Sequence, residues 1–158
     1  MSADQSPSNS QITALQAGLR SPDERRRAES AQGLVRLGHP DAIAACVQTL
    51  NDAPDPLHLD ITPAVTALGE MGLRAGAALL DPLRSNDEIT RLRAQRALEA
   101  IVARRHGFRA GKGFPSTAAE EAMRDEWEAN GSYDYSENAE ARDASLAKWR
   151  QWLATAKE

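Results

Sequence analysis

The stretch SPDERRRAESAQGLVRLGHPDAIAACVQTL, residues 21–50, decides the fold. Ser30, Leu34 and Leu37 lie four and three residues apart, which is the apolar stripe of an amphipathic helix. Gly38 then interrupts the pattern, and Ile43, Cys46, Val47 and Leu50 resume it at i, i+3, i+4 and i+7. Two helices joined at a glycine follow, with Cys46 on the buried side of the second. Pro22 suits a helix start after Ser21 as N-cap, and Pro56 suits one after Asp55. Pro63 and Pro82 predict kinked or shortened helices.

The pattern recurs. Ala64, Leu68, Met71 and Gly72 stand 34 residues after Ser30, Leu34, Leu37 and Gly38, and Ala94, Leu98 and Ile101 follow 30 residues later. A helix pair of this period cannot bury its stripe alone and must stack on its neighbours, so the period predicts an α-solenoid. No window shows sustained alternation of the kind a strand needs.

Composition changes along the chain. All seven aromatic residues lie beyond Gly107, whereas the first hundred residues are rich in Ala, Leu and Arg. Residues 1–10, with Ser, Asn, Asp and Pro, read as a disordered tail. The longest aliphatic or small run, AGAALL, is far too short to span a bilayer. The single Cys46 has no internal partner for a disulfide, and the reading is of a soluble, cytoplasmic protein. A net charge of −4 gives the whole chain no electrostatic attraction to nucleic acid or an acidic membrane.

Charge is nevertheless uneven. Residues 91–112 hold seven basic residues and one acidic, and residues 113–147 hold nine acidic and two basic. On a helical wheel Arg93, Arg96 and Arg104 fall on an outward side, as a phosphate-binding ridge would require. The preferred reading is that the acidic extension folds back over the basic helix. Arg25 and Arg26 read as a solvated helix start.

Candidate chemistry is sparse. GFRAGKGF has three residues between Gly107 and Gly111 where a phosphate loop has four, and no Ser or Thr follows Lys112. His39, His58 and His106 have no partner at metal-ligand spacing, so no metal and no cofactor are expected. Glu120, Glu121, Asp125, Glu126 and Glu128 could form an acid–base pair but read as a solvated acidic face.

From Ser21 to Asp52 the chain resembles a bacterial HEAT-like repeat, with its acidic start, arginine, small residues, Leu, Gly and second aliphatic helix. The resemblance is weaker over residues 57–85 and half complete over 86–107, and residues 11–20 look like the second helix of an earlier half-repeat. KWRQWL, residues 148–153, resembles the Trp-x-x-Trp helix that ends some members of this family. The resemblance implies an all-α, armadillo-like fold: a short right-handed α-solenoid of HEAT-like helix pairs over residues 11–107, then a connector and helical C-terminal cap over 108–158. It also implies that an arginine seven residues before the stripe leucine braces adjacent repeats through acidic groups and carbonyls. Arg27 and Arg91 hold that place, and Ile61 departs from it. The active residues of the HEAT-like DNA glycosylases and bilin lyases find no match here.

The functional expectation is a non-enzymatic module for protein–protein interaction: a monomeric adaptor, scaffold or regulatory subunit with a protein partner and no membrane contact. Ala45, Gln48, Arg74, Ala75 and Ala78, read as outward positions of the second helices, are its candidate contacts. Trp149 and Trp152 either close the last repeat, the preferred reading, or offer a partner an aromatic hot spot. The alternative is a nucleic-acid-associated module using Arg93, Arg96 and Arg104.

Overall fold

The computed structural model describes residues 8–157, and among these the secondary structure is helical, with one isolated antiparallel bridge between Arg109 and Gly113. The tail read over residues 1–10 lies, for its first seven residues, outside the described ones. Helix α1, Asn9–Gly18, opens on Ser8, whose hydroxyl accepts from the Gln11 N–H. Helix α2, Glu24–Arg36, is capped by Asp23 and not by Ser21: the Asp23 carboxylate accepts from the Arg25 N–H at 2.9 Å. Helix α3, Ala42–Gln48, completes the first pair.

The next first helix starts later than Asp55-Pro56 suggests. Residues 55–61 form a loop, and α4, Pro63–Met71, begins at Pro63 with Thr62 as N-cap. Pro63 therefore causes no kink, because the first helical position has no intrahelical use for an N–H. Pro82 does disrupt its segment. With no N–H to give the preceding turn, it lies in a second helix broken into α5, Leu73–Gly76, a 3-10 turn, Ala77–Leu79, and α6, Leu80–Leu83.

Helix α7, Glu88–Arg105, carries the third stripe. The stripe residues Leu34, Leu68 and Leu98 are fully buried, with Ser30, Ala64 and Ala94 beside them. Gly38 and Gly72 end their helices at φ of +60° and +70°, which side chains rarely adopt, so the repeated glycine is the device that turns the chain. Helices α2, α4 and α7 stack in order, and α4 against α7 is the most extensive contact. Gly69 permits that closeness, since a Cβ there would stand 2.7 Å from the Ala100 Cβ.

Helix α8, Thr117–Ala129, and α9, Ala139–Thr155, follow the connector. They close the end of the stack. Trp149 is wholly buried, with its ring centroid 4.9 Å from that of Trp127 and 5.2 Å from that of Trp152. The Tyr133 hydroxyl donates to the Leu83 carbonyl at 2.6 Å, and Leu153 fills the space left by the missing side chain of Gly76.

Burial pushes the Cys46 thiol up to about 11 and the Tyr133 hydroxyl up to about 12, from ordinary values of 9.0 and 10.0. Both groups are held protonated in the fold, so their contribution to stability is complete below pH 9 and is lost as pH rises towards 12. Denaturation midpoints are expected to fall across that window, and Tyr133→Phe is expected to flatten its upper part. A midpoint unchanged up to pH 12 in the wild type would refute this. At neutral pH the thiol is expected to resist labelling until the protein is denatured.

Candidate partner-binding surface

The arginines of α7 divide by what they touch. Arg91 is buried, donating from Nε to the Tyr135 carbonyl and from Nη1 to the Ser85 carbonyl, both at 2.9 Å. Arg27, at the same place in α2, binds both oxygens of Asp52 at 2.8 Å and the Ser21 carbonyl at 2.9 Å. Each fixes its own helix start to a later segment of the chain, and the planar guanidinium suits such forked contacts.

Arg93 corrects the outward placement read from the wheel. It is 6% exposed, and its Nε and Nη2 donate to the Leu59 carbonyl at 3.0 and 2.8 Å while Nη1 reaches Asn51 Oδ1 at 3.0 Å. Arg96 is half-exposed but engaged, with Asp60 at 2.6 Å and Glu99 at 2.8 Å. Its guanidinium holds the Asp60 carboxyl below the usual carboxylate range. A ridge of three phosphate-seeking arginines is therefore not what α7 presents. The loop before α4 covers Arg93 and pairs Arg96, leaving only Arg104 open.

That loop is the sharper surface feature. Beyond the two arginines, Asp55 accepts from the Leu57 N–H at 2.8 Å, and the Asp55 N–H reaches the Ile61 carbonyl at 2.9 Å. The backbone is tied at both ends, yet Leu57 is 87% and Leu59 60% exposed. No periodicity announces this pair, because the loop is not helical.

Ala45 and Ala75 are also corrected. Both are buried in the core, where their small side chains let neighbouring helices approach, and neither is open to a partner. Gln48 is exposed but donates to the Leu19 carbonyl, Ala78 is half-buried, and Arg74 is exposed. Trp149 lies within the core, and Trp152 is half-buried with its Nε1 donating to Glu126 at 2.7 Å.

Glu126 gathers the basic end of α7 under the cap. It receives Trp152, pairs with His106 and lies 3.7 Å from Arg105, whose guanidinium stands 5.5 Å from the Trp152 ring centroid. The acidic extension does fold back on the basic helix at this point, and Glu126 serves as a brace. Beyond it Arg74, Arg104, Arg105 and Arg109 line an open cleft of about 450 Å³ with Glu70, Met71, Leu73 and Ile101. Among the described residues no cluster of three or more His, Cys, Asp or Glu could hold a metal ion, and no helix is long and apolar enough to cross a membrane.

The family model for HEAT repeats matches residues 12–99, more than half of the chain. The chain belongs to the HEAT-repeat family. In this HEAT-repeat protein the matched region ends inside α7, so the aromatic extension lies outside it. No curated protein and no solved structure matches the chain.

Proposed function

We propose that this HEAT-repeat protein is a non-enzymatic protein-interaction module, an adaptor, scaffold or regulatory subunit. One observation supports it most: Leu57 and Leu59 are exposed on a loop that Arg93 holds at the Leu59 carbonyl and Arg96 holds at the Asp60 carboxylate. Exposed leucines on a backbone that is already ordered lose little further conformational freedom on binding, which favours their use as a protein contact. HEAT repeats commonly serve as interaction scaffolds, which agrees with this reading. It is read as working in the cytoplasm as a monomer, with the cap covering the end of the stack and Cys46 kept as a thiol.

The test is affinity capture from native lysate, comparing the wild type with Leu57→Ser/Leu59→Ser. Both side chains are exposed, so the double variant is expected to keep its helical spectrum and melting temperature. Proteins retained by the wild type are expected to be lost from the variant. Retention of the same set by both would reject the loop as the contact.

A further inference from the structure

Three arginines in the cleft have no carboxylate partner among the described residues. Arg74 lies in α5, Arg104 in the last turn of α7, and Arg109 in the glycine-rich connector. The connector is closed by its own bonds, Arg109 N–H to the Gly113 carbonyl at 3.0 Å and the return bond at 2.9 Å, so Arg109 is placed by a defined turn. The fourth, Arg105, is occupied by Glu126. Three separate elements thus bring guanidiniums without a carboxylate partner to one concavity, Arg109 spending one donor, Nη1, on the adjacent Phe108 carbonyl at 2.9 Å.

Compensation of helix dipoles explains only part of this. The C-termini of α4 and α7 bring about half a negative charge each, and Glu70 brings one more, which the free guanidiniums outnumber. Guanidiniums without a carboxylate partner bind carboxylate or phosphate oxygens in forked pairs.

We infer that this cleft docks an acidic segment of a protein partner, a short run of Asp or Glu beside an apolar residue. The inference rests on the interaction-module reading and names the chemistry of one contact. The cleft supplies both halves of the match. Its floor includes Met71, Leu73 and Ile101, which suit carboxylate stems and an apolar neighbour, and Glu70 offers an acceptor for a peptide N–H. A phosphodiester backbone has no such donor.

The test uses full-length protein and fluorescence anisotropy with a labelled decapeptide of glutamates carrying two leucines. The same peptide with glutamines, and a labelled oligothymidylate, serve as comparisons. At about 50 mM salt the glutamate peptide is expected to bind at least about tenfold more tightly than the glutamine peptide, an advantage that shrinks as salt rises. Arg74→Gln/Arg104→Gln/Arg109→Gln is expected to weaken it about tenfold or more, while Arg25→Gln/Arg26→Gln/Arg36→Gln, removing exposed arginines elsewhere, changes it less than about twofold. Equal losses in the two triple variants, or no preference for glutamate, would overturn the site. So would tighter binding of oligothymidylate that the cleft variant abolishes, which would reassign the cleft to nucleic acid. Because the probe is a defined peptide, this result is independent of the Leu57/Leu59 capture. Peptide binding with failed capture keeps the cleft and removes the loop reading, and the reverse does the opposite.

Discussion

Trp149→Ala is expected to lower the unfolding free energy by about 3–5 kcal/mol, the range for emptying a buried aromatic site. The side chain is 0% exposed and packs on Trp127 and Trp152, so alanine leaves a cavity where the cap meets the stack. Its Nε1 has no hydrogen-bond partner, which makes phenylalanine informative. Trp149→Phe keeps much of the apolar contact and removes a buried unsatisfied donor, a group that costs about 1–3 kcal/mol, so it is expected to lose far less than alanine. Urea denaturation of the three proteins measures the order. An alanine variant as stable as the wild type would mean that Trp149 closes nothing.

The second large effect is expected at Arg93. Arg93→Ala removes both donors from the Leu59 carbonyl and one from Asn51, at a cost of about 2–3 kcal/mol, since hydrogen bonds to a charged group carry about that weight. Lysine restores the charge without the fork and is expected to recover less than half of the loss. The change also has a local readout: limited proteolysis is expected to cut near Leu57–Leu59 much faster in Arg93→Ala than in the wild type. Unchanged cleavage would show that the loop is held without this arginine.

These two residues also mark what the sequence can and cannot disclose. The stripe of Leu34, Leu68 and Leu98, the glycines that end the helices and the buried Cys46 were legible because they arise from spacing along one chain segment. Arg27 was legible through the resemblance to a repeat family. Arg93 was not, because the wheel of α7 records only α7. Its polar side is covered by a loop more than thirty residues earlier, and nothing periodic in that loop signals the contact. Ala45 and Ala75 mislead for a related reason: small residues suit a quiet surface and a close helix contact equally, and only the neighbouring helices decide. The arginine cleft draws on α5, α7 and the connector, so it exists only once the chain has folded.

The cap has a further consequence for how the protein is made. Neighbouring repeat helices meet soon after they are synthesised, whereas Tyr133 reaches back 50 residues to Leu83, and Arg105 waits for Lys157. At about 5–20 residues per second, roughly fifty residues separating Leu98 from Trp149 take several seconds to add. Until the cap docks, the emerging stack shows its open apolar end to solvent. Ribosome-associated chaperones would find their substrate in that face, and pausing during translation of α9 would prolong its exposure.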